Sequence, residues 1–155
     1  MEKVKLSLKD ALQLESELNG LVNQQTGEII YEGFLKQNLS IIKKYELKET
    51  VDFLQNERKK VNELKDELIK KHGEDDGKGG LMVRTFDEVV DDKGLVIGRK
   101  FNEKYLEFDK EYAELLKKEI EFDFPEVTKE DLIRAGETQD DYIVLFKLVK
   151  KIKEI

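Results

Sequence analysis

Near the start of the chain the apolar residues fall at helical spacing. Ala11, Leu14, Leu18 and Leu21 are separated by three, four and three positions, which places them on one stripe of an α-helix. Ser7-Leu8-Lys9-Asp10 stands at its start. A hydroxyl followed three residues later by an acid satisfies N–H groups left free in a first helical turn. The pattern predicts a helix that ends near Gln24, broken by Thr26-Gly27. Thr128-Lys129-Glu130-Asp131 and Thr138-Gln139-Asp140-Asp141 repeat the device. The last leads into a predicted C-terminal helix from Asp140 to about Lys151, with Tyr142, Leu145, Phe146, Val149 and Ile152 on its apolar face.

From Glu28 to His72 there is no proline and the pattern reads as helix almost throughout. Its seam positions fall in two phases, one through Tyr31, Phe34 or Leu35, Asn38, Ile41 or Ile42, and Tyr45, the other through Leu47, Val51, Leu54, Arg58, Val61, Lys65, Leu68 and His72. A shift of seam near Tyr45 to Leu47 reads as a stutter or kink. Helical from end to end, the segment would reach roughly 65 Å, against a radius of gyration of about 15 Å for a compact globule of this length. The pattern therefore predicts an elongated molecule. Gly33 and the stretch Asn38 to Ser40 weaken the early half, whereas Val51 to Lys71 contains no Gly, Pro or Ser.

Gly73 to Gly80 then stops the helix in an acidic, glycine-rich turn. Two β-leaning runs, Leu81 to Val90 and Leu95 to Ile97, flank Asp91-Asp92-Lys93-Gly94 and predict a hairpin. Phe101, Tyr105, Phe108, Tyr112 and Leu115 step by four, three, four and three, a helical seam with aromatic knobs. It follows the hairpin closely enough to fold back antiparallel along Leu54 to Leu68. Arg58 and Lys65 then occupy seam positions through their methylene stems. Glu119 to Phe124 alternates strictly before the only proline, Pro125, as Val4, Leu6 and Leu8 do near the start, and the two segments are the natural strand pair.

These elements predict a mainly α fold with a small β portion, of the α+β class. It is an elongated antiparallel helical hairpin with a β-hairpin at its tip and a small base of helices and a two-stranded sheet. A single domain covers residues 1–155, with the arm at about 47–118 and the base at about 1–46 and 119–155.

Composition narrows the function more by exclusion than by assignment. Charged residues make up 41% of the chain and hydrophobic ones 39%, a balance suited to narrow helical seams with wide solvated faces. The formal charge of -7 repels phosphates, so no direct contact with nucleic acid is expected. Without cysteine there is no disulfide frame, thiolate nucleophile or zinc finger, and the reading is a protein of the cytoplasm. The opening residues do not read as a signal peptide, and no apolar run is long enough to span a membrane.

Candidate chemistry is sparse. His72, the only imidazole, reads as a cap on the last carbonyls of its helix. No metal site is expected, because Glu74, Asp75 and Asp76 lack the alternate spacing of a calcium loop. Gly77-Lys78-Gly79-Gly80 has neither the spacing nor the following Ser or Thr of a phosphate loop. No catalytic set or cofactor is assigned, and the chain reads as a non-enzymatic interaction protein. Asp75, Asp76, Asp91 and Asp92, on the predicted turns at the tip, are the candidate partner contact. Arg84 and Arg99 are the candidates for binding a small anion.

Glu57-Arg58-Lys59-Lys60, Leu68-Ile69-Lys70-Lys71-His72-Gly73, Phe101-Asn102-Glu103-Lys104-Tyr105 and Tyr112-Ala113-Glu114-Leu115-Leu116 carry a resemblance over residues 57–121. In these the chain resembles a family of short uncharacterised bacteriophage proteins from phages and prophages of low-GC Gram-positive bacteria. The resemblance implies a phage accessory factor acting in the host cytoplasm and supplies no catalytic residues. Three functions follow as expectations. The first is a factor that binds a host protein and inhibits or redirects it, as an anti-defence protein would. The second is a virion assembly protein, such as a tail or connector component or its chaperone, that forms homo-oligomers. The third is a sequestering protein for a small anionic ligand.

Overall fold

The computed structural model describes residues 2–37, 39–128, 130–131, 143–145 and 147–148. It is of the α+β class, with helix the larger share and the strands in small antiparallel sheets. The chain divides into two compact units, one of Met1–Arg58 with Lys118–Ile155, the other of Lys59–Lys117. Helix α2 (Ile41–His72) passes through the boundary at Arg58.

In the first unit, β1 (Glu2–Ser7) pairs antiparallel with β8 (Glu119–Phe124), Val4 opposite Phe122 and Leu6 opposite Ile120. This is the strand pair that the two alternating segments predict. Leu8, the third residue of the first segment, instead begins α1 (Leu8–Asn19). Ser7 caps that helix by accepting from the Asp10 N–H at 3.2 Å. Helix α1 stops short of Gln24, because Gly20 takes φ 95 and returns its N–H to the Ser16 carbonyl. Leu21 therefore leaves the helical stripe and enters β2 (Leu21–Val22), paired with β3 (Ile29–Tyr31).

The long helix begins later than its pattern suggests, and the segment Glu28 to Ser40 is not part of it. After β3 the chain makes a short 3-10 turn at Phe34–Lys36. Gly33, at φ 91, enters that turn so close to α1 that an added Cβ would lie 2.8 Å from the Asn19 carbonyl carbon. Backbone pressed on backbone has no room for a helical side chain there. Ser40 then opens α2, accepting from the Lys43 N–H at 3.2 Å.

Ala11, Leu14 and Leu18 of α1, Leu47, Val51 and Leu54 of α2, and Phe122 and Phe124 of β8 are buried in one core. Phe34, Leu39 and Val127 join them from connecting segments, and Val144, Leu145 and Leu148 from the helical residues near the C-terminus. A fully buried side chain of this kind contributes about 2 kcal/mol. Thr128 and Asp131 form a reciprocal capping pair, at 2.9 and 3.2 Å. The cap at Thr138 and most of the predicted Asp140 to Lys151 helix lie outside the described residues.

The second unit holds the remainder of α2, the two-residue ribbon β4 (Glu74–Asp75) with β5 (Leu81–Met82), the hairpin β6 (Phe86–Val90) with β7 (Val96–Phe101), and α3 (Glu103–Lys117). The Leu81 to Val90 run is thus divided between two ribbons, its first part pairing back to Glu74 and Asp75. Phe101 also moves, ending β7 instead of opening α3, since Asn102 accepts the Lys104 N–H at 2.9 Å and starts the helix after it. No helix among the described residues is long and apolar enough to cross a membrane.

Candidate interaction surface

Nearly all of the second unit faces solvent. Among its described residues only Val61 and His72 are buried, and α3 has no buried side chain at all. Aromatic stacking and charge take over the work of a core. Phe101 stacks on Phe86 at 4.9 Å and on Tyr105 at 5.9 Å, and Phe108 stacks on Tyr112 at 5.9 Å. Lys65 of α2 places its ammonium 5.3 Å from the Tyr112 ring centroid, a cation–π contact that links this stretch of α2 to α3. Arg58, the other predicted seam cation, has different partners. It bonds α1 through Glu15, the Leu12 carbonyl and Ser16.

His72 is not a free helix cap. Its Nε2 lies 2.5 Å from a Glu111 oxygen and its Nδ1 3.5 Å from a Glu107 oxygen, so each ring nitrogen faces a carboxylate of α3. An imidazolium has a donor for each of two such acceptors, a neutral ring for only one. The i, i+4 spacing of Glu107 and Glu111 on one helical face was the available sequence signal. The two carboxylates approach opposite ring nitrogens instead of converging on one point. Among the described residues no group of three or more His, Cys, Asp and Glu is arranged to hold a metal ion.

Glu111 also accepts from Lys71 at 2.9 Å. That bond first, then the one to His72, holds its carboxyl below the ordinary carboxylate range, while Glu111 raises Lys71. A depressed acid stabilises the fold above the ordinary carboxylate range, and its contribution is lost as pH falls through the folded value. Glu111→Gln is therefore expected to lose less stability than the parent on acidification. Urea melts from neutral pH down into the carboxylate range check this, and equal losses in the two proteins would count against the clasp.

The predicted contact acids lie on two different turns. Asp75 ends β4 and Asp76 opens the turn to β5, where Asp75 accepts from Gly77 N–H at 2.7 Å and Asp76 from Lys78 and Gly80 at 2.7 and 3.1 Å. Asp91, between β6 and β7, accepts from Lys93 and Leu95, both at 2.9 Å. Asp92 is exposed beside it. Three of the four acids thus shape the loops that present them.

Arg84 is engaged by Glu74 at 3.3 Å and Asp87 at 2.9 Å. It lines a depression of about 470 Å³ with Lys100, Asn102, Glu103 and Lys104, and Arg99 is not among the lining residues. The two arginines do not form one pocket, because Arg99 and Lys100 are successive strand residues whose side chains leave opposite faces.

A large exposed apolar set is the feature that sequence reasoning passed over. Phe86, Val90, Leu95, Val96, Ile97, Phe101 and Leu106 all lie on the surface of this unit, Ile97 with 67% of its area exposed. The signal was present in the adjacency of Val96 and Ile97, since neighbouring apolar residues in a two-stranded ribbon put one on each face.

The fold and surface together define an α+β chain of two compact units, one with a conventional core and one that leaves many of its apolar side chains exposed. Neither a family model, nor a curated protein, nor a solved structure matches this chain.

Proposed function

We propose that this protein is a non-enzymatic bacteriophage accessory protein that binds a host protein and inhibits or redirects it, as an anti-defence factor does. The phage assignment comes from the sequence resemblance over residues 57–121. The interaction role is supported by one observation above others, the uncovered apolar set on the second unit, much of it on the β6–β7 ribbon whose turn Asp91 shapes. Large apolar side chains left exposed in number, beyond the scattered single ones of an ordinary surface, mark interaction sites. In this reading the end of α2 and α3 act as an antiparallel helical hairpin, held by Lys65 with Tyr112 and His72 with Glu107 and Glu111, that carries the β6–β7 ribbon.

Affinity capture from host lysate tests the proposal. The control replaces Asp75, Asp76, Asp91 and Asp92 by Asn, which keeps an oxygen for the turn N–H groups and removes the charge. Capture of one host protein by the parent, reduced at least about tenfold in the Asn variant, is expected. Recovery of no host protein, or equal recovery by both, would overturn the function or the assigned contact respectively.

A further inference from the structure

We propose that the free edge of β7 is a strand-addition site, at which an extended segment of a partner protein, alternating acidic and apolar residues, joins the β6–β7 ribbon as a third strand beside Arg99 and Phe101. This rests on the interaction reading above and supplies the surface and the chemistry of the partner. All six residues of β7 are exposed, whereas β6 alternates between exposed and half-buried. A lone two-stranded ribbon is marginal in water, and an uncovered edge presents a row of N–H and C=O groups to another chain.

The hydrogen-bond phase of the ladder shows which residues present those groups. The Asn102 N–H donates to the Thr85 carbonyl at 2.9 Å, which makes that pair a bonded one. Bonded and non-bonded pairs alternate in an antiparallel ladder, and the register runs Phe86 with Phe101, Asp87 with Lys100 and Glu88 with Arg99. Phe101 and Arg99 therefore stand in non-bonded pairs, with their N–H and C=O directed away from β6. The register shifts near Val90, so the regular part of the edge is Gly98 to Phe101.

Charge selects the partner. Between Asp92 and Glu103 there is no acid, while Lys93, Arg99 and Lys100 are cationic, in a chain whose net charge is -7. On its inner edge β7 already lies opposite acids, Glu88 beside Arg99 and Asp87 beside Lys100. An incoming strand that alternates acidic and apolar residues places its acids on one face, so an acid opposite Arg99 repeats the Glu88 match on the outer edge, while Lys100 adds to the local positive charge from the other face. Like charges directly opposite are unfavourable, so Arg99 and Lys100 oppose alignment of one β7 with the β7 of a second copy.

The test uses the full chain and the blocked peptide Val-Glu-Val-Asp-Phe-Glu-Val, with a counterpart in which every acid is Lys. Amide hydrogen exchange is read residue by residue. Saturating acidic peptide is expected to slow exchange at Arg99 and Phe101 at least about tenfold and leave Lys100, already facing β6, little changed. The Lys peptide should not protect them. Arg99→Gln with Lys100→Gln, which keeps strand-compatible side chains, should weaken the acidic peptide at least about tenfold. No protection at millimolar peptide, equal protection by both peptides, or unchanged affinity in the double variant would overturn the proposal. If a captured host protein is retained by the double variant, the binding function stands and the β7 site falls. If the peptide protects β7 while lysate yields no partner, the site stands and the host-protein reading falls.

Discussion

Glu17→Ala is expected to lower the free energy of unfolding by about 3 kcal/mol, since it leaves two buried N–H groups without an acceptor. Glu17 is fully buried in α1. Its carboxylate accepts from the Val144 N–H at 3.1 and 3.3 Å and from the Leu145 N–H at 3.3 Å, across 127 and 128 residues of sequence. The side chain acts as a cap supplied from a distant part of the chain. Burial pushes its carboxyl above the ordinary range, and the bonds from Leu145 and Val144 partly offset this. The folded state consequently holds this proton more firmly than the unfolded state does. Its contribution is greatest below the ordinary carboxylate range and declines as pH rises through the raised value. Glu17→Gln keeps one acceptor oxygen and does not titrate, so it should lose less stability than the Ala variant and flatten this part of the pH profile. Denaturant melts over a pH series measure both effects. An Ala variant within about 1 kcal/mol of the parent would show that the cap carries little.

Arg58→Ala is expected to cost nearly as much, about 2–3 kcal/mol, because removing one member of a buried ion pair strands the other. Glu15, at 8% side-chain exposure, would lose its partner at 2.9 Å. The Leu12 carbonyl would lose a bond of 2.7 Å and Ser16 one of 3.0 Å. Arg58 is itself 36% exposed, which keeps the figure below that for a fully buried pair. The double variant Glu15→Leu with Arg58→Met should recover most of the loss, since an apolar pair of similar volume leaves no stranded charge. A double variant as unstable as Arg58→Ala would show that the bonds to Leu12 and Ser16 outweigh the ion pair.

Both residues also show where a one-dimensional pattern stops. Arg58 sits at a position that continues the Leu47, Val51, Leu54 stripe, which suggested a place in the seam with α3. The partner was different, α1 in place of α3. Glu17 carries no such signal, as a polar residue between Ser16 and Leu18 in an amphipathic helix reads as a solvated one. The candidate surface was legible in a similar measure. The acids of the two turns stood out by composition, whereas the free edge of β7 needed the register of the β6–β7 pair.

What the sequence determined by itself is local. The caps at Ser7 and Thr128, the stop at Gly73, the alternation that makes β1 and β8, and the helical stripes of α1, α2 and α3 depend on bonds and spacings within a few residues. Those interactions form with whatever lies next along the chain. Only the tertiary structure decided that Gly33 must pass against α1, that Arg58 and Glu17 close the first unit, that His72 faces two glutamates, and that β7 keeps an open edge. These depend on residues beyond any local window, from 14 positions between Asn19 and Gly33 to 127 between Glu17 and Val144, and their placement follows from the packing of whole elements, which periodicity cannot specify.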